Sequence, residues 1–417
     1  MEKTGVEAGA EAGAGPVKLA YVLSHPIQYQ SPLLRRIAAE PGIKLTVLYT
    51  SDFSVRGYKD TGFGIEMKWD VPLLEGYEYK WLPRLRDAED IYVAAPLNYG
   101  FTGEFRRGGY DVIWLHGYAT VNSLLAMLAA RRLGLPVIQR MESTLKDRPR
   151  SGAKLKAKMT VLKGLERLVD AVMPIGTLNA AYWKHYLPET PQFLMPYAVD
   201  NEWFAGKAKA AEKSREDLRT ELGLEPGRQV ILFASKLVER KRCVDLVEAY
   251  RRLSPDGRTE PLPYLLIVGD GELRAGLEEK AKAWNWEAIR FLGFRNQGEI
   301  PRYLDLCDVF CLPSVHEPWG LIVNEAMAAG RAAVVSDAVG CAPDLVKDGE
   351  NGFVFQAGDV EALAGALRRL TTERGLAARM GAAGAERIRN WDYEADVRGL
   401  KAALGYVMAK RGARRAG

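Results

Sequence analysis

Apolar residues along the chain fall into short continuous runs, separated by stretches in which they return every third or fourth position. A continuous run without alternation reads as a strand buried on both faces, and a three-to-four-residue recurrence reads as a helix covering it. In the first half the runs are Lys18–Ser24, Leu45–Thr50, Val112–His116, Pro136–Met141, Ala171–Ile175 and Phe193–Tyr197, with helical patterns at Pro32–Ala39 and Val121–Leu133. Residues 54–110, rich in Tyr, Trp and Gly, break this rhythm and leave a β-excursion and a helix unplaced. The second half repeats the pattern with runs at Val230–Ser235, Tyr264–Gly269, Ile289–Phe294, Val309–Leu312, Ala332–Ser336 and Gly352–Phe355. Helices are expected there at Val244–Arg252, Glu272–Ala283, Gly298–Leu306 and Val360–Leu370. Strand–helix alternation of this kind predicts two doubly wound α/β domains, Rossmann-like and facing each other across a cleft.

The boundary is expected near Pro196–Asn201, followed by a polar lead-in from Ala205 to Thr220. The division is a tail over 1–16, a first domain over 17–198, a second over 199–390, and a C-terminal segment over 391–417. That last segment carries an amphipathic stretch, Tyr393–Met408, able to cross back to the first domain, and then a basic tail.

Ligands of open α/β sheets bind beyond the carboxyl ends of the strands, which makes the residues just after each run the candidates. The densest such stretch is Asp308–Gly330, in which Val309–Leu312 delivers a loop, Pro313–Trp319, onto a helix from Gly320 to Ala329. The N-terminus of a helix presents unpaired N–H groups and a partial positive charge, so Gly320 and Leu321 mark a place for phosphate. Two carboxylates lie beside it, Glu317 and Glu325, with seven residues between them. As hydrogen-bond acceptors they suit sugar hydroxyls, which points to a ligand carrying both phosphate and sugar. A surface or helix-capping role is the plain alternative.

Lys236 follows the Val230 run and Lys241 stands five positions on, both within reach of the same phosphate, or else part of a solvated basic turn. Gly269-Asp270-Gly271 ends another run as a tight turn with neither dinucleotide nor P-loop spacing. Arg295 and Asn296 end the next, where a nucleotide base could rest at the cleft rim. In the first domain His25 to Tyr29 (with Gln28), His116-Gly117 and Arg140-Met141-Glu142-Ser143 end successive runs and would line the opposite wall. A histidine after an apolar run also serves as an ordinary structural residue.

The formal net charge of the 417 residues is only +5, which gives no ground for a nucleic-acid partner. Four cysteines without C-x-x-C pairing and four scattered histidines argue against a secreted disulfide framework and a structural zinc site, leaving a cytoplasmic location as the simplest. The first fifteen residues lack the apolar core of a signal peptide, and no run reaches the length of a membrane span. Basic residues are uneven, however. Residues 146–169 carry Lys146, Arg148, Arg150, Lys154, Lys156, Lys158, Lys163 and Arg167 beside an apolar stripe of Leu155, Met159, Leu162 and Val169. Such a helix either lies on an anionic membrane or packs on a core with a solvated basic face.

Taken in order and spacing, several of these segments resemble the retaining GT-B glycosyltransferases that carry an E-x7-E motif, the family-four or group 1 type. They are Lys236…Lys241, Gly269-Asp270-Gly271, Phe291-Leu-Gly-Phe, Gly298-Glu299-Ile-Pro-Arg-Tyr, Pro313-Ser314…Glu317-Pro-Trp-Gly…Glu325-Ala-Met-Ala-Ala-Gly, Asp348-Gly-Glu-Asn-Gly352 and Trp391-Asp-Tyr. The resemblance implies that Lys236 and Lys241 hold a donor diphosphate with Gly320 and Leu321, that Glu325 accepts from the ribose, and that Glu317 contacts the donor sugar at the reacting carbon. The sequence departs from that pattern in the first domain. Glu142 takes the place where many relatives have histidine, His25 to Tyr29 replaces a glycine-rich loop, Asp344 stands where Glu is common, and Cys341 where a second Gly is.

The function implied is a hexosyltransferase-like transfer from a nucleoside-diphosphate sugar to a glycan or lipid-linked hydroxyl acceptor, in polysaccharide or glycolipid biosynthesis at the inner face of the membrane. With no D-x-D triplet in the chain, neither a metal nor another cofactor is expected. Glu317 and Glu142 are the catalytic candidates, and His25, Gln28, His116 and Arg140 the acceptor-side ones. A non-catalytic sugar-nucleotide-binding scaffold on the same fold, and a nucleotide-sugar hydrolase or epimerase, are the alternatives.

Overall fold

The computed structural model describes residues 15–60, 65–67, 69–146, 152–253, 262–284 and 287–416. Residues 1–14 of the N-terminal tail and residues 147–151, with Arg148 and Arg150 of the basic segment, lie outside them.

The first sheet is parallel and six-stranded. From edge to edge it runs Ala171–Val172, Val137–Arg140, Val112–His116, Val17–Leu23, Ile43–Tyr49 and Glu78–Trp81. Its interior strands are buried on both faces, which is why they read as unbroken apolar runs. The second sheet, also parallel and six-stranded, runs Ile289–Gly293, Tyr264–Val268, Val230–Ala234, Val309–Leu312, Ala332–Ser336 and Gly352–Phe355. In each sheet the order reverses once: between Val17–Leu23 and Val112–His116 in the first, and between Val230–Ala234 and Val309–Leu312 in the second. Ligand crevices of open α/β sheets form at such reversals.

One face of the first sheet is covered by the Phe101–Gly108, Val121–Arg132, Gly152–Glu166 and Thr177–Tyr186 helices. On the other face lie Ser31–Ala38 and the C-terminal helix Tyr393–Ala416, which inserts Val397, Leu400, Ala403, Leu404 and Val407 among first-sheet residues. The chain therefore leaves the first unit, builds the second and returns to seal the first.

Three sequence expectations differ from the structure. Phe193–Tyr197 is not a strand. Phe193, Met195 and Tyr197 donate to Val172, Pro174 and Ile175 in a ladder-like way, but Pro191 and Pro196 lack the N–H groups that would extend it. The polar lead-in is helical, as Asn201–Ala211 and Arg215–Glu221, anchored by Phe204, Ala208 and Leu218. The apolar stripe of the basic helix is broken, because Leu162 and Val169 are buried whereas Met159 is 46% exposed.

Candidate active site

The two order reversals face each other. A cavity of about 540 Å³ is walled on one side by Ile27, Tyr29, His116, Gly117, Tyr118, Met141, Glu142, Ser143 and Lys158, and on the other by His316 and Pro318. First-domain loops thus meet the 313–320 loop of the second.

That loop is held rigidly. Gly340 N–H donates to the Glu317 carbonyl at 2.9 Å and Cys341 N–H to the Trp319 carbonyl at 3.0 Å. A Cβ on Gly340 would meet the Pro318 carbonyl oxygen at 1.9 Å, so only glycine lets the two backbones approach this closely. Gly320 has φ +96°, with Val339 and Leu312 at 3.1 and 3.2 Å from any added Cβ, and from this left-handed turn the Leu321–Ala328 helix starts. Trp319 is buried and donates through Nε1 to Asn324 Oδ1 at 2.9 Å.

Glu317 forms an ion pair and hydrogen bond with Lys241, their side chains 12% and 10% exposed. Lys241 does not open a helix. It ends a single 3-10 turn, Glu239–Lys241, after which Arg242 takes φ +53° and the Cys243–Arg251 helix begins. Burial, reinforced by the Arg240 and Lys236 cations, pushes the Lys241 ammonium down to about 7, against the pull of its Glu317 partner. Lys236 lines a second cavity of about 570 Å³ with Arg240 and Arg242, where cations outnumber Glu239 and Glu272. The carboxyl of Glu325, on the second turn of the helix, bonds to no other described side chain, and burial pushes it up to about 8.

The expected base rim is more structural. Gly269 and Gly271 have φ +136° and +151°, and an added Cβ would meet the Ser235 and Leu237 carbonyl oxygens at 1.9 and 2.6 Å. Their closeness serves the neighbouring strand end. Arg295 Nη1 lies 3.4 Å from Glu299, and Asn296 N–H donates to the same carboxylate at 3.1 Å, at the start of the Ile300–Leu306 helix.

In the first domain Glu142 Oε1 accepts from Tyr29 Oη at 2.8 Å and from Tyr197 Oη, with His116 Nε2 at 3.8 Å. Burial alone would favour the acid, but the His116 contact and the two phenols outweigh it and hold the carboxyl down at about 2. His116 is positioned in turn by Tyr21 Oη, 3.0 Å from Nδ1, and Tyr21 donates to Gln30. His25 sits beside Ser24 and Phe53, its imidazole kept neutral by burial, with a pKa of about 4. Gln28 lies in the turn before Ser31–Ala38 and does not line the cavity.

Arg140 is a correction. Its side chain is 1% exposed and faces away from the cleft, with Nη2 donating to Asp396 at 2.9 Å and to the Met195 and Pro196 carbonyls at 3.0 Å. As the last strand residue it shares the sheet face of Ile138, which the C-terminal helix covers. Tyr197, Asn324, Arg240 and His316 belong to the site region without having been named as site residues, and Lys158, noted only as part of the basic segment, lines the cavity. Among the first four, only the position of Tyr197, just after a proline at the domain crossing, offered a signal.

The domains also latch. Asp344 accepts from Thr177 N–H at 2.9 Å and Oγ1 at 2.5 Å, capping a first-domain helix from the second domain. Gly298 N–H donates to Asp70 at 2.9 Å, and Lys146 Nζ to the Asp337 carbonyl at 2.9 Å. The described residues contain no group of three or more metal-ligating side chains, and no helix long and apolar enough to cross a membrane.

Comparison with known proteins places this geometry. Residues 214–387 match the model of the family described as glycosyl transferases group 1. The lipopolysaccharide core biosynthesis glycosyltransferase LpsE of Rhizobium meliloti is 32% identical over 192 residues, 46% of this chain and 52% of its own length. A D-inositol 3-phosphate glycosyltransferase of Streptomyces avermitilis is 28% identical over 308 residues, 69% of this chain and 64% of its own. The chain thus spans between half and two thirds of these curated relatives. Among solved structures, Anabaena HepE in complex with UDP superposes with a TM-score of 0.71 at 18% identity, covering 94% of this chain and 100% of that one. The fold is the two-domain GT-B arrangement.

Proposed function

We propose, from a second domain whose residues 214–387 match the glycosyl transferases group 1 family, that the protein transfers a sugar from a nucleoside-diphosphate sugar to a hydroxyl acceptor with retention at the anomeric carbon. The observation that carries this reading is the buried Lys241–Glu317 pair beside the start of the Leu321–Ala328 helix, on a loop whose neighbouring His316 and Pro318 face Glu142 across one cavity. The nucleotide complexes of HepE, a protein of the same fold, support the donor class.

The bond between the anomeric carbon and the diphosphate oxygen breaks with charge growing on the leaving group, so fixed positive charge there lowers the barrier most. Lys236, Lys241 and the helix N-terminus supply it. Glu317, released from Lys241 when phosphate takes the ammonium, accepts from a sugar hydroxyl, and Glu325 from the ribose. Glu142, with its carboxyl near 2, is too weak a base to take the acceptor's proton; it orients the hydroxyl and stabilises the cationic sugar. The stronger base is the departing phosphate, with a second pKa of about 6. As the acceptor oxygen bonds to carbon on the face the diphosphate leaves, its proton passes to that diphosphate. Domain contact over the cavity excludes competing water.

A thermal-shift panel of uridine, guanosine and adenosine diphosphate sugars, followed by product analysis with glycan and lipid acceptors, tests the reading. Stabilisation by a nucleotide sugar with transfer is the expected result. No stabilisation by any donor refutes it, and sugar released or inverted equally fast without an acceptor makes the protein a hydrolase or epimerase.

The acceptor side carries a second proposal, peripheral contact with an anionic membrane. Lys156, Lys163 and Arg167 are exposed on or beside the Gly152–Glu166 helix, with Leu145, Met159 and Val161 at 50, 46 and 60% exposure, while Lys158 of that helix lines the cavity. Changing Lys156, Lys163 and Arg167 together to Glu should release the protein from anionic vesicles; continued pelleting removes the idea.

A further inference from the structure

We propose that Tyr197 is a positioning residue that ties the donor helix to Glu142, so that the acceptor wall is set only when the donor side is in place. The inference rests on the transferase reading and adds to it a residue and a coupling that motif and family leave unassigned.

Tyr197 lies on the single stretch of chain that passes from the first unit to the second. Its hydroxyl donates to Glu142 Oε1, while its backbone carbonyl accepts from Asn324 Nδ2 at 3.0 Å. Asn324 sits on the Leu321–Ala328 helix directly before Glu325, and its Oδ1 is held by Trp319 of the donor loop. The Tyr197 ring stands edge-on to Trp319, with centroids 6.2 Å apart at 86°, and beneath the Arg140 guanidinium at 4.8 Å. One residue therefore touches Glu142 through its side chain and the donor helix through its main chain.

The surroundings make this contact stiff. Arg140, paired with Asp396 of the C-terminal helix, clasps the carbonyls of Met195 and Pro196 just before Tyr197, and Asn324 holds the carbonyl of Tyr197 itself, so the crossing segment is gripped at three successive carbonyls. A shift of the donor helix must move the Asn324 amide and the Tyr197 carbonyl, and the phenol then moves relative to Glu142. Tyr29 supplies the contrast. It donates to the same carboxylate oxygen at 2.8 Å, but although its ring also packs against the second-domain core, its main chain belongs to the first domain and not to the crossing segment that Asn324 holds. The charged and titratable groups facing Glu142 are Tyr29, Tyr197 and His116, with Lys158 and His316 lining the same cavity.

The test compares Tyr197→Phe with Tyr29→Phe, each removing one hydroxyl and leaving the ring to fill its place. Melting curves first confirm that both fold, and nucleoside-diphosphate binding by calorimetry is measured alone. Loss of nucleotide binding by the wild type overturns the transferase reading itself. With wild-type binding present, both variants should move the acid limb of kcat up toward the ordinary carboxylate range, since each removes a donor to the ionised form. Only Tyr197→Phe should also lower kcat by about tenfold or more at neutral pH while leaving donor affinity unchanged. That loss should be non-additive with Glu142→Gln. Wild-type kcat and pH profile in Tyr197→Phe, an equal loss in Tyr29→Phe, or strict additivity with Glu142→Gln would each overturn the proposal.

Discussion

Glu325, the proposed ribose acceptor, has a carboxyl pushed up to about 8 by burial, and no described side chain compensates it. The unfolded chain ionises this group in the ordinary carboxylate range, so between that range and about 8 the unfolded state has lost a proton that the folded state keeps. Stability from this group is complete at low pH and declines as pH rises toward 8. The full shift would correspond to roughly 4–5 kcal/mol. Because Glu325 is only half-buried, solvent screening leaves about 1–2 kcal/mol. Glu325→Gln removes the charge at nearly constant shape, so it should gain on the wild type by that amount between pH 5 and pH 9 in urea melts. The same substitution should weaken nucleotide binding by about 1–3 kcal/mol, since a ribose hydroxyl loses its acceptor. Ligand hydroxyls favour the ionised form, so nucleotide binding to the wild type should also release protons near pH 7. Calorimetry in two buffers of different ionisation enthalpy measures that release. A stability difference independent of pH, or nucleotide affinity untouched by the substitution, refutes the placement of Glu325.

Lys241→Met leaves Glu317 buried without its cation and should cost about 3–5 kcal/mol in thermal or chemical melts. Adding Glu317→Gln should restore most of that stability but no transfer activity. Asp396→Ala strands the Arg140 guanidinium between the C-terminal helix and the first sheet, with a similar expected loss of about 3–5 kcal/mol; unaltered melting would mean that water reaches the pair. Asp344→Ala removes the cap that the second domain places on the Thr177–Tyr186 helix, worth about 1 kcal/mol. It should widen the solution scattering envelope by loosening the latch, and an unchanged envelope counts against a latch.

The strands were legible because parallel strands buried on both faces leave an unmistakable apolar run, and the residues after them were legible as candidates because chemistry gathers at those ends. Val309–Leu312, Ala332–Ser336 and Gly352–Phe355 appear with the limits the sequence suggested. Asn201–Glu221 was opaque for the opposite reason. These helices bury only a few apolar anchors against the Ile300–Leu306 and Leu321–Ala328 helices and turn the rest outward, so composition reads as linker. Arg140 was misplaced because its partner, Asp396, is 256 positions away; the amphipathic pattern of Tyr393–Met408 allowed that helix to return to the first domain but did not say which side chain it would meet there. Glu142 could be named, but its state could not: the three groups that hold it ionised come from residues 29, 116 and 197.

The charged groups of the candidate site compensate one another. Lys241 and Glu317 neutralise each other, and Glu325 is held toward its neutral form by burial. A buried cation already pushed down to about 7 gains more from a diphosphate than an ordinary lysine would, because two or more negative charges replace one carboxylate. On the proposed transferase reading, that exchange would free Glu317 for the sugar as the phosphate binds, and would ionise Glu325 against the ribose. The carboxylates therefore become available in response to the donor. An acceptor alone, meeting Glu142 on the far wall, cannot bring about the same exchange, since nothing on that wall competes for Lys241. Donor binding should accordingly precede acceptor binding, with free nucleotide competitive toward the donor and mixed toward the acceptor, and a dead-end acceptor analogue uncompetitive toward the donor. Random-order kinetics with equal nucleotide inhibition against both substrates would place the charge exchange elsewhere.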